Sequence, residues 1–137
     1  MKKIGTLNSQ LSRIIASMGH KDKLVICDSG LPIPRDAEIV DLALRKNLPG
    51  FIETLEVILE ELQVEGAIVA QEMKTISNGL MTSVQDLMPG VDFEEVPHER
   101  FKQLTRDATQ NGNIAFVRTG EATPYANIVL ISGVTFP

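Results

Sequence analysis

The 137-residue chain has no tryptophan, one tyrosine, one cysteine and an aromatic content of 4%. A core built from it must be aliphatic, filled by Leu, Ile and Val. With Cys27 alone, no intrachain disulfide can form, and its place in the apolar run 24–27 marks it as a small packing residue without a catalytic role. No run approaches the roughly 18 apolar residues of a membrane span, and Met1-Lys2-Lys3-Ile4-Gly5 leads into polar residues rather than an apolar leader. Cationic excess is missing too. A formal net charge of -5 argues against nucleic-acid or membrane partners, because phosphate binding is driven mainly by Lys and Arg. What remains is a soluble, cytoplasmic protein acting on a small neutral or weakly charged ligand.

Several chemistries are absent as motifs. No Gly-x-Gly-x-x-Gly or phosphate-cradling loop follows any apolar run, which argues against a nucleotide site. Ser29 lies between Asp28 and Gly30 but not in a Gly-x-Ser-x-Gly elbow, so it does not read as a nucleophile. His20, Asp22, Asp28 and His98 lack the tight histidine spacings that announce zinc. The reading is of no metal and no cofactor.

What is present is an ordinary folded composition, 43% apolar and 23% charged, enough for one core and one domain over residues 1–137. Asn8 or Ser9 can cap a helix carrying Leu11, Ile14, Ile15 and Met18 on one face. Gly19 is then placed to end it in the left-handed conformation. Residues 24–27 form a short continuous apolar run, the pattern of a strand buried on both faces. An extended segment over 38–44 sets Val40, Leu42 and Leu44 on one side. Pro49 and Gly50 open the clearest helix, with Phe51, Leu55, Ile58, Leu59 and Leu62 as its stripe and Glu53, Glu56, Glu60 and Glu61 in water.

A second buried strand reads over 66–70, ending near Gln71, Glu72 and Met73. Ser77 or Asn78 begins a helix through Leu80, Val84, Leu87 and Met88 that Pro89-Gly90 terminates. A strand over 91–96 leads to Pro97-His98-Glu99-Arg100 and a helix with Phe101, Leu104 and Ala108 inward. Asn111-Gly112-Asn113 signals a turn, and strands follow over 114–117 and 127–132. Together these predict an α/β layered domain with a buried mixed sheet of about six strands flanked by about four helices. The last two strands are close enough in sequence to pair antiparallel.

Polar groups gather where elements end. Asp28 stands at the carboxyl end of the 24–27 strand, the edge at which open α/β sheets bind ligands. Gly30, Pro32 and Pro34 make the segment after it neither helix nor interior strand but a stiff wall. His20, His98, Tyr125 and Asn127 also lie at element ends. Such groups suit a sugar: Asp and Asn exchange hydrogen bonds with hydroxyls, Tyr adds a phenol and a ring face, and His moves a proton near neutrality.

Met18-Gly19-His20-x-Asp22-x-Leu24, Asp28-Ser29-Gly30-Leu31-Pro32-Ile33-Pro34, Pro97-His98-Glu99, and Arg118-Thr119-Gly120-Glu121 followed by Tyr125-Ala126-Asn127-Ile128 together resemble the ribose pyranase / fucose mutarotase family. The fucose branch typically carries Asp-Ala-x-Phe-Pro after the aspartate, so Asp28-Ser29-Gly30-Leu31-Pro32 favours the ribose branch. The resemblance implies an isomerase of ribose ring forms that supplies a downstream ribose kinase. In it His20 is the catalytic proton donor, and Asp28, His98, Tyr125, Ala126 and Asn127 bind the sugar. It further implies a homodecamer of two stacked pentameric rings with sites near subunit boundaries. The apolar run 128–131, with Val134 and Phe136, is expected to offer surface to such a partner. A non-catalytic ribose-binding or regulatory subunit, or a mutarotase of another monosaccharide such as L-fucose, is the alternative.

Opening a pyranose requires a proton on the ring oxygen and loss of one from the anomeric hydroxyl, and reclosure through another hydroxyl gives the furanose. His20 would supply the first proton. Asp28, His98 or a bound water would take the second.

Overall fold

A computed structural model describes residues 1–111 and 113–137, with side chains for all of these except 108–111. The fold is built outward from β1 (Lys23–Cys27), in which Leu24, Val25, Ile26 and Cys27 have no exposed surface. On one side β1 pairs in parallel with β5 (Ile114–Arg118), which in turn pairs in parallel with β2 (Glu38–Asp41) at the sheet edge. On the other side it pairs antiparallel with β6 (Ile128–Ser132). Next come β3 (Val64–Ala70), antiparallel to β6, and β4 (Asp92–Val96), parallel to β3. The strand order is β2-β5-β1-β6-β3-β4, a mixed sheet in which β6 alone runs against the rest.

Helices cover both faces, which is why the β1 run is apolar at every position rather than at alternate ones. Leu24 and Ile26 pack with Leu11, Ile14, Phe51, Leu55, Ile58 and Val84, residues of α1 (Ser9–Ser17), α2 (Phe51–Leu59) and α4 (Asn78–Leu87). Val25 and Cys27 point the other way, onto Ile68, Phe116, Val129 and Phe101 of α5 (His98–Asn111). Each fully buried aliphatic side chain of this kind contributes about 1.5–3 kcal/mol. Asn8 caps α1 by accepting the Leu11 N–H at 2.9 Å. Phe51 opens α2 directly after Pro49 and Gly50, as their spacing predicts.

The structure departs from the sequence reading in several places. A fifth helix, α3 (Gln71–Ile76), occupies residues expected to finish the β3 strand, and at six residues it is too short to show a helical period. Strands β5 and β6 do not pair with each other, because β1 lies between them. The run 128–131 is therefore a central strand, not partner surface: Ile128 and Leu130 are wholly buried, while Phe136 beyond it is 70% exposed. Strand β2 stops at Asp41, leaving Leu44 in solvent. Gly19 does not take the left-handed conformation. Met18 closes α1 in an extended conformation, the Asp22 carboxylate accepts the Gly19 N–H at 2.8 Å, and Lys21 adopts φ 74° instead. The expected inward side chain of Ala108 and the turn at Gly112 lie outside the described residues.

Candidate active site

β1 through β5 end at one edge of the sheet, where β6 begins. That edge carries Asp28 after β1, Glu72 after β3, His98 after β4, Thr119 after β5, and Tyr125, Ala126 and Asn127 before β6.

Asp28 is held from four directions. Its Oδ1 accepts the N–H groups of Gly30 and Leu31, both at 2.9 Å, bending the chain toward Pro32. Its Oδ2 accepts Asn127 Nδ2 at 3.1 Å, while its own N–H donates to Asn127 Oδ1 at 2.9 Å. Asn127 is wholly buried and commits both ends of its amide to Asp28. It acts first as the clasp that orients the carboxylate, with one Nδ2 hydrogen left for a ligand.

The chain after β5 fastens the same loop. Thr119 donates its hydroxyl to the Cys27 carbonyl at 2.7 Å, and the Ser29 N–H and hydroxyl donate to the Glu121 carbonyl at 3.0 and 3.1 Å. Arg118 donates to the Ser29 carbonyl at 3.1 Å while pairing with Asp41. Glu121 Oε1 accepts the Phe51 N–H at the start of α2 at 2.8 Å, and Oε2 accepts the Thr123 hydroxyl at 2.8 Å. Burial pushes the Glu121 carboxyl up, but these bonds together outweigh it and hold the group below its ordinary value. Gly120 admits no side chain, since a Cβ there would lie 2.3 Å from the Arg45 carbonyl oxygen.

Tyr125 sits in the left-handed region at φ 64°, costly for a residue with a Cβ and concentrated at functional sites in general. The next turn is tight, with the Asn127 N–H donating to the Tyr125 carbonyl at 2.9 Å. Ala126 between them points its methyl into the core, so only its backbone is available to a ligand. The Tyr125 ring meets the His98 ring edge-on, with centroids 5.0 Å apart at 80°. Phe101 stacks near the same imidazole at 6.5 Å and 11°. His98 Nδ1 is buried and has no hydrogen-bond partner among the described residues, an unmet capacity that a sugar hydroxyl could satisfy.

His20 is elsewhere. It precedes β1, at the opposite edge, separated from Asp28 by the strand's length of roughly 16 Å. It is exposed, with Nε2 2.9 Å from Glu65 Oε2. Glu65 also pairs with the Lys21 ammonium, and the Lys21 bond, then that of His20, holds the Glu65 carboxyl below its ordinary value. A metal set combining His20 and Asp22 with Asp28 and His98 thus has no common centre within one chain. Among the described residues no three His, Cys, Asp or Glu side chains gather closely enough to hold an ion. Cys27 is a packing residue: burial, then the Asp28 charge, pushes its thiol to about 12.

Sequence reasoning gave no role to Glu72, whose carboxylate accepts the His98 N–H at 3.0 and 3.2 Å. The rule that marks Asp28, an acid at the carboxyl end of a buried strand, applies equally to Glu72. The strand reading over 66–70 ends near Glu72, so the sequence carries that signal.

The model of the RbsD / FucU transport protein family matches residues 1–135. The chain belongs to this family. Among its relatives, the D-ribose pyranase of Clostridium perfringens is 48% identical over 99% of this chain and 100% of its own. That of Coprothermobacter proteolyticus is 49% identical with the same coverage. Of solved structures, Bacillus subtilis RbsD complexed with D-ribose superposes with a TM-score of 0.90 at 43% identity, covering 99% of this chain and 100% of that one. The fucose mutarotase of Streptococcus pneumoniae, solved with L-fucose, reaches a TM-score of 0.72 at 20% identity and shows that the RbsD / FucU fold is shared. No described helix is long and apolar enough to cross a membrane.

Proposed function

We propose that this chain is a D-ribose pyranase, interconverting the pyranose and furanose forms of D-ribose by acid/base opening and reclosure of the hemiacetal. One observation carries the reading: Asp28, clasped by Asn127 beside His98 and Tyr125, forms a polar edge on a fold that matches a ribose-bound relative along its whole length.

In this reading Asp28, with its acceptor orbitals fixed by three N–H groups, receives sugar hydroxyls. His98 bonds another through its imidazole, the Tyr125 ring packs against the sugar, and the backbone at Ala126 and the remaining amide hydrogen of Asn127 complete the grip. His20 is the proton donor to the ring oxygen, and Asp28, His98 or a bound water receives the anomeric proton. Each positioned acid or base contributes typically about 10² to 10⁴-fold. No cofactor enters the scheme.

Because His20 stands at the far edge of its own chain, the reading requires a second copy to bring that residue to the pocket. We take the assembly to be a decamer of two stacked pentameric rings working in the cytoplasm, where it would supply a ribose kinase. Exposed apolar side chains at Leu44, Ile76 and Phe136, at 77%, 62% and 70%, support burial by neighbours.

NMR exchange spectroscopy of D-ribose with and without the protein tests the activity. Accelerated exchange between ring forms is expected. Binding with no acceleration would instead indicate a ribose-binding or regulatory subunit, and acceleration for L-fucose but not ribose would indicate a mutarotase. Light scattering giving the mass of one chain, 15.0 kDa, at micromolar concentration would overturn the assembly.

A further inference from the structure

We infer that Glu72 is a positioning residue for His98, fixing the imidazole against Tyr125 by supplying the N-terminal cap that α5 otherwise lacks. The inference rests on the pyranase reading for its consequence in sugar binding. Its geometry is independent of that reading.

Helix α5 begins abruptly. The Pro97 carbonyl accepts the Phe101 N–H at 2.9 Å, so Pro97 occupies the cap position and His98 is the first residue of the helix. A proline has no side-chain acceptor for the free N–H groups of the first turn, the task that Ser, Thr, Asp or Asn usually performs. The Glu72 carboxylate takes that place from another element, with both oxygens within 3.2 Å of the His98 N–H. Its negative charge also complements the positive end of the helix dipole.

The bond falls on the residue whose ring matters. The His98 imidazole lies between Phe101 and Tyr125, and its Nδ1 is buried without a partner among the described residues. With that nitrogen unpaired, the orientation of the ring rests on backbone placement and ring packing. Glu72 is itself anchored two residues beyond Ala70, the wholly buried last residue of β3, so the cap is referred to the sheet. Two acids thus serve one edge, Asp28 facing the sugar and Glu72 aiming the histidine.

The test compares Glu72→Ala and Glu72→Gln with His98→Ala, reading the KM for ribose in ring-form exchange, kcat at saturation, and the imidazole resonances of the ligand-free protein. With two histidines in the chain, the His98 signals are identified by their disappearance in His98→Ala. Glu72→Ala is expected to shift the His98 resonances and raise KM about tenfold, the scale of one charge-assisted hydrogen bond, with kcat within about threefold. Glu72→Gln, which keeps an acceptor oxygen, should restore KM to within about threefold of wild type. In the Glu72→Ala/His98→Ala double variant KM should be no higher than in His98→Ala, because the first residue acts through the second. Unchanged His98 resonances and KM in folded Glu72→Ala would overturn the inference, as would a double variant whose losses simply add. Should wild type fail to accelerate exchange, the pyranase reading falls, while displaced resonances in Glu72→Ala would still support the positioning role.

Discussion

The two edges of the sheet are built differently. At the carboxyl edge, Asp28 is gripped by two backbone N–H groups and a buried asparagine, and the loop behind it is tied to Arg118, Thr119 and Glu121. At the amino edge, His20 and Lys21 share one carboxylate, Glu65, among side chains 49%, 67% and 32% exposed. Pairs of that kind cost side-chain entropy, are screened by salt and contribute little to stability. The first edge has its geometry fixed by hydrogen bonds of the chain itself. The second holds its histidine by contacts that a neighbouring group can replace at small cost, which suits a residue that, on our reading, must work in another subunit's pocket.

The largest effect should come from the looser edge. His20→Ala should reduce exchange at saturating ribose by about 10² to 10⁴-fold, the usual contribution of a general acid, while leaving the urea midpoint of unfolding unchanged. Wild-type exchange in that variant would remove His20 from the mechanism and return the chemistry to the rigid edge alone.

Next comes the clasp. Asn127→Leu strips Asp28 of its reciprocal partner and leaves the part-buried Asp28 N–H unmet, for an expected loss of about 1–3 kcal/mol in urea denaturation together with weaker ribose binding. Stability retained in full would mean that Asp28 is oriented by its own turn. His98→Ala should weaken ribose binding about tenfold and slow saturated exchange less, since its hydrogen bond serves ground and transition state alike. A variant that instead lost kcat with KM intact would make His98 the base.

Acid should discriminate the edges further. The folded Glu121 carboxyl lies below its ordinary value of 4.5, so the stability it lends is complete above that value and is lost as pH falls through the folded-state one. Glu121→Gln is therefore expected to lower stability at neutral pH and flatten its decline below about pH 4.5 in denaturation series. An unaltered acid limb would show that another carboxylate sets it. The smallest effect belongs to Glu65→Gln, expected to leave the neutral urea midpoint unchanged; a clear loss would show the amino edge to be more firmly built than its exposure indicates.

Most of the elements were legible one at a time. The apolar run at 24–27 and the triplet Ala67, Ile68 and Val69 declared interior strands, and Phe51, Leu55 and Ile58 declared a helix, because burial on two faces or one leaves a local pattern of residue types. Asp28 was legible for the same reason, standing where a buried strand ends. Order within the sheet was decided only by the tertiary structure. The run 128–131 is apolar whether it covers a partner or forms a central strand, and nothing local in Ile128 or Leu130 states that β1 and β3 are its neighbours. From that insertion follow the features the sequence did not show: Asn127 is brought against Asp28 across 99 residues of chain, and β1 runs its full length between Asp28 and His20. Glu72 reaches the His98 N–H across 26 residues only because β3 and β4 are parallel neighbours whose ends share one edge. Side-chain type and spacing are written locally, whereas strand pairing is settled by packing between distant segments, and contact across the sheet edge is decided there.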